Sequence, residues 1–203
     1  MKFLLAVSRL IDALNERVGQ TVLWLTLIVV FVSAGNAVVR KVFHVSSNAW
    51  LELQWYLFGA IFLLAAGYTY LRNEHVRVDV LASRLPPRTQ VYIEMFGIVF
   101  FIFPAAALIF WLSLPYFYES FRLQELSSNT GGLIRWPAKL LIPVGFGLLI
   151  LSGVSRLIKC LAFLTGQGRN PMLAEHARSA EEELAEEILK QNEVRLNGGT
   201  KGR

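Results

Sequence analysis

Residues Met95 to Tyr118 read MFGIVFFIFPAAALIFWLSLPYFY, with Glu94 before them and Glu119 after. These 24 residues hold no charged side chain. Coiled as an α-helix they extend about 36 Å, enough to cross a hydrocarbon core about 30 Å thick. Soluble surface helices keep a polar face, and this run has none. Strands of a membrane barrel alternate polar and apolar residues, which this run does not do. In lipid every backbone N–H and C=O must be satisfied within the segment, so the run is read as a membrane-spanning helix.

Three further runs follow the same pattern. Thr21 to Val39 is uncharged and ends at Arg40-Lys41. Leu53 to Leu71 lies between Glu52 and Arg72. Leu140 to Ser155 lies between Lys139 and Arg156; it is short, but both bases can snorkel and lengthen it. The whole composition agrees. Hydrophobic residues make up 54% of the 203, charged residues 17%, and the mean hydropathy is +0.46. Soluble domains carry about 25% charge. Disorder over most of the chain is excluded by the same figures. The fold expected is all-α and polytopic, with four transmembrane helices.

Residues before the first span form a different pattern. Phe3, Val7, Leu10, Leu14 and Val18 recur at helical spacing, with Ser8, Arg9, Asp12, Asn15 and Glu16 on the other face. That spacing predicts an amphipathic arm helix lying on the membrane or against a partner. The apolar stretch Phe3 to Val7 is too short for a signal peptide. At the other end, Gly166 to Pro171 reads as a linker, and an acidic, partly helical tail follows. Three regions result: an arm over 1–20, a four-helix membrane domain over 21–160, and a linker with tail over 161–203.

Lys and Arg are spread unevenly. The arm, the loop between spans two and three and the segment after span four hold ten, against five on the opposite side. The positive-inside rule then puts both termini in the cytoplasm. With bases flanking apolar runs, the pI of about 9.6 points to lipid headgroups and not to nucleic acid.

No catalytic constellation is visible. The chain has no P-loop, no G-x-G-x-x-G and no H-E-x-x-H. Its three histidines, His44, His75 and His176, all lie outside the spans, which argues against a haem-holding membrane anchor of a redox enzyme, the rival reading. Span interiors carry no charge; Asn36 and Gln54 are mild polar exceptions. No enzyme activity, cofactor or metal site is expected. Two clusters stand out as subunit-contact candidates. One is Trp50 and Glu52 at the start of span two, where Glu52 is favoured by the helix dipole. The other is Arg72, His75, Arg77 and Asp79, in a loop whose alternation predicts an extended segment, with Asp79 capping a short helix over Val80 to Leu85. Pro104 is expected to kink span three, and Gly145 and Gly153 to allow close helix approach in span four.

The chain resembles the small, DctQ-like membrane subunit of tripartite ATP-independent periplasmic (TRAP) transporters. The resemblance covers roughly residues 15–160. It rests on Trp50-Leu51-Glu52, then Arg72-Asn73-Glu74-His75-Val76-Arg77-Val78-Asp79, then Leu85-Pro86-Pro87, and on Gly132 to Lys139 continuing into Ile142 to Phe146. It implies an accessory subunit in the inner membrane of a bacterium or archaeon. Its partners would be a large membrane subunit holding the sodium and substrate sites, and a periplasmic binding protein that delivers an organic acid. The tail after Pro171 is longer than the resemblance leads one to expect.

Overall fold

The computed structural model describes residues 2–44, 47–72 and 85–166, with residues 168 and 188. Described residues form five α-helices and no strand: α1 (Lys2–Phe43), α2 (Asn48–Leu71), α3 (Pro87–Gly97), α4 (Phe103–Arg122) and α5 (Trp136–Leu164). A π-helical segment, Ile98–Ile102, joins α3 to α4, so Pro87–Arg122 is one continuous rod. Four helical rods among the described residues are long and apolar enough to cross a membrane.

The kink expected at Pro104 takes this π form. Pro104 has no N–H for the carbonyl four residues back and its ring crowds that turn. Widening the preceding turn relieves both, and Phe103 N–H bonds the Ile98 carbonyl five residues away.

Among the described residues, α5 is the centre. It packs against α1, α2 and α4 and meets the end of α3, whereas α4 lies on α5 away from α1 and α2. Small residues on α5 make this possible. A Cβ on Gly145 would lie 2.6 Å from the Leu63 carbonyl oxygen of α2, and one on Gly153 would lie 2.7 Å from the Phe103 ring. Without a hydrophobic effect between helices in lipid, such backbone proximity supplies the packing.

The arm and the first span are one unbroken helix. Ser8, Ile11, Asn15 and Gly19 turn inward and are buried, while Phe3, Leu10 and Leu14 stay exposed. The face that carries Ser8 and Asn15 is the one that packs, and the reason is chemical: its partners on α5 and α2 are polar too.

Candidate functional site

Polar side chains gather at the two ends of the bundle. At the arm end they form a circuit through four helices. Asp12 on α1 faces Lys159 on α5 at 2.7 Å and accepts a hydrogen bond from the Ser155 hydroxyl at 2.5 Å. Ser155 also shares a 2.7 Å contact with Ser8. Glu16, one turn on, pairs at 2.5 Å with Arg72 at the end of α2, and the Arg72 guanidinium lies over the Tyr68 ring. Tyr70 of α2 donates to Glu94 of α3 at 3.3 Å, and Arg156 of α5 closes the circuit on Glu94, also at 3.3 Å. Arg156 is buried, with only 6% of its side chain exposed.

Beneath this layer the helices touch. Ser152 donates to the Gly67 carbonyl at 2.9 Å, and a Cβ on Gly67 would meet Asn15 Oδ1 at 2.4 Å and the Leu148 backbone at 3.1 Å. Gly67 is thus where α1, α2 and α5 converge, and a larger residue would push the Asn15 amide aside and crowd the Leu148 backbone.

At the loop end, one carboxylate organises residues 123–135. Glu52 accepts hydrogen bonds from the Ser127 hydroxyl, from Asn129 Nδ2 at 2.8 Å and from the Leu133 backbone N–H at 2.7 Å. Gly132 makes room for it; a Cβ there would sit 2.8 Å from Glu52 Oε2 and 2.5 Å from the Ser127 Cβ. The loop folds back on itself through an antiparallel bridge between Leu126 and Ile134. Glu125 is salt-bridged to Lys139, and this contact holds its carboxyl below the ordinary carboxylate range. Lys139 also lies 3.9 Å from the centre of the Tyr116 ring. Asn48 reaches across to the Thr130 carbonyl at 3.0 Å.

Of the six subunit-contact candidates, three fall on described residues. Trp50 is exposed; Glu52 is buried and holds the loop; Arg72 pairs with Glu16. His75, Arg77 and Asp79 lie outside the described residues, as do most of the short helix over Val80 to Leu85 and most of the tail. Sequence reasoning read Glu94, Arg156 and Lys139 only as charges bounding apolar runs, and missed their partners. A signal was present for the loop: Gly132 stands next to a donor, Leu133, within the stretch that carries the resemblance.

No cluster of three metal-ligating side chains exists among the described residues. The two serines that meet a carboxylate, Ser155 on Asp12 and Ser127 on Glu52, donate within the helix and loop contacts just described. Both ends are built to hold helices and a loop in place.

A sequence model of the family described as "Tripartite ATP-independent periplasmic transporters, DctQ component" matches residues 29–163. The chain belongs to this family. The match takes in the loop end and the α2, α3 and α5 side of the arm end, and leaves Ser8, Asp12 and Glu16 of α1 outside it. No curated protein and no solved structure matches the chain. As a DctQ component it is a multi-pass membrane protein and part of a tripartite transporter.

Proposed function

We propose that this DctQ component is the fixed brace of its transporter and is not itself a path for substrate. The observation that carries this reading is where the charges lie. The described ion pairs sit at the two ends of the bundle and not in its middle, and the arm-end pairs tie α1, α2, α3 and α5 to one another. A transport path would be expected to place ionisable groups at membrane depth. Outside these ends the rods present apolar surface, including Trp24, Phe62, Phe100, Trp111 and Leu112, suited to lipid and to a larger membrane partner.

On this reading the partner is the large membrane subunit, which carries sodium-coupled uptake of organic acids. A periplasmic binding protein delivers the substrate. Both termini face the cytoplasm of a bacterium or archaeon, and the loop held by Glu52 faces the periplasm. Trp50, exposed beside that loop, is the contact we assign to the large subunit. Arg77 and Asp79 are proposed as its contacts on the opposite side.

The test is reconstitution. Proteoliposomes holding the large subunit with this chain should show sodium-dependent uptake when the loaded binding protein is added. Those holding the large subunit alone should show none, while the binding protein keeps its ligand affinity. Equal uptake in both preparations would refute the brace.

A further inference from the structure

The arm sorts its charges by sign. Its two acids, Asp12 and Glu16, turn inward to Lys159 and Arg72. Its three bases, Lys2, Arg9 and Arg17, are exposed, and among the described residues no ion pair joins them to an acid. Phe3 and Leu10 lie between these bases, 78% and 72% exposed. The outer face of the arm is therefore purely cationic and strongly apolar, although the arm as a whole carries both signs.

This face continues into the span. Since α1 is unbroken from Lys2 to Phe43, side chains seven residues apart point nearly the same way. Phe3, Leu10, Arg17, Trp24, Phe31 and Val38 form one exposed stripe. Its upper half, Trp24 to Val38, lies in the membrane-spanning run and suits acyl chains. Its lower half keeps the apolar residues and adds cations. A helix of 42 residues is about 63 Å long, against about 40–45 Å for a bilayer with its headgroups. The rod has no bend at residue 20, but tilted by about 45° toward this stripe its length fits that thickness, with the arm slanting through the headgroup layer.

We infer that the outer face of the arm is a docking surface for anionic phospholipid. Leu10 and Leu14 slant toward the acyl boundary, Phe3 lies at the outer headgroup edge, and Lys2, Arg9 and Arg17 meet the phosphates. Cations interspersed with apolar residues on one helix face are the pattern that binds such surfaces. An acidic protein would match the charge but not the unbroken run into the lipid-facing stripe. This lipid contact stands apart from the transport role: it needs no partner subunit.

The test uses the full chain, purified in a neutral detergent, with its thermal unfolding followed on adding phosphatidylglycerol or phosphatidylcholine. Phosphatidylglycerol should raise the melting temperature further than phosphatidylcholine, and high salt should shrink the difference. The triple variant Lys2→Gln, Arg9→Gln, Arg17→Gln should fold, since all three side chains are exposed, and should lose most of that difference. Arg9→Lys with Arg17→Lys should keep it, because a diffuse anionic surface reads charge and not guanidinium shape. An undiminished phosphatidylglycerol effect in the triple variant would overturn the assignment. So would a wild-type chain indifferent to headgroup whose Leu10→Cys thiol is shielded only when the large subunit is bound, which would give the face to a protein.

Discussion

The two ends of this bundle use charge in different ways. At the arm end, opposite charges far apart in sequence meet across helices: Asp12 with Lys159, Glu16 with Arg72, Glu94 with Arg156. At the loop end, the Glu52 carboxylate gathers hydrogen-bond donors from one short loop, and the ion pair of Glu125 with Lys139 there joins residues only 14 apart. The first arrangement fixes helices to one another, and the second fixes a loop to a helix that is already placed. Damage at the arm end should therefore spread, and damage at the loop end should stay local.

The sharpest way to break that contrast is Arg156→Met. It removes the buried guanidinium that faces Glu94 on α3. Removing one partner of a buried pair costs about 3–5 kcal/mol. Chemical unfolding in detergent should show a loss of that order in a single transition shared by all probes. Glu52→Gln should instead leave the global transition nearly in place, because its amide can still accept at one oxygen. Its effect should be seen in the loop. On the proposed topology, a membrane-impermeant thiol reagent outside the cell should label Ser128→Cys roughly ten-fold faster once the charged hydrogen bonds are gone. The native Cys160 is buried and stays silent. A global loss from Glu52→Gln would erase the distinction between the ends.

Below the arm-end circuit, Gly145→Ala should cost about 1–3 kcal/mol by overpacking, since the Leu63 backbone stands 2.6 Å from the new Cβ and cannot swing away. Gly59→Ala in α2 should be silent, since nothing lies within 4 Å of its Cβ position. Equal stability of the two variants, measured by the same unfolding, would show that α2 and α5 are less closely joined than described.

The smallest effect is on pH dependence. The Glu125 carboxyl is held below the ordinary 4.5 by its bond to Lys139. A depressed folded value means its contribution is complete above about pH 4.5 and fades as the pH falls through the depressed value. The loop, followed by hydrogen-exchange protection of the Leu133 and Arg135 amides because thiol labelling is too slow at low pH, should loosen only below that range. Lys139→Met should move the loosening to higher pH.

Much of this molecule was legible in its residues. Uncharged runs bounded by Glu52, Arg72, Glu94, Lys139 and Arg156 gave the spans, because burying charge in lipid is costly and the boundaries are therefore sharp. Gly145 and Gly153 signalled close packing, and Pro104 a broken helical register. Pairings were not legible. Asp12 and Lys159 are 147 residues apart, as are Ser8 and Ser155, and no local period links them. The spacing of Phe3, Leu10 and Leu14 showed an amphipathic arm but not which neighbours its polar face would meet, since Lys159 and Arg72 come from distant parts of the chain. Glu52 was read through the helix dipole, a local effect, when its donors come from a loop beyond residue 126.

As a fixed brace, the proposed role of this chain, the bundle keeps one shape throughout transport. Spin labels at Ile28 on α1 and Leu112 on α4, both exposed, report across α5 without entering its contacts. Their distance should be measured by pulsed electron spin resonance in the reconstituted transporter, with sodium, with sodium and loaded binding protein, and with neither. One unchanged distance distribution in all three states is the expected result. A shift of more than about 2 Å between states would mean that α1 and α4 rearrange during transport, and the chain could then not be a fixed brace.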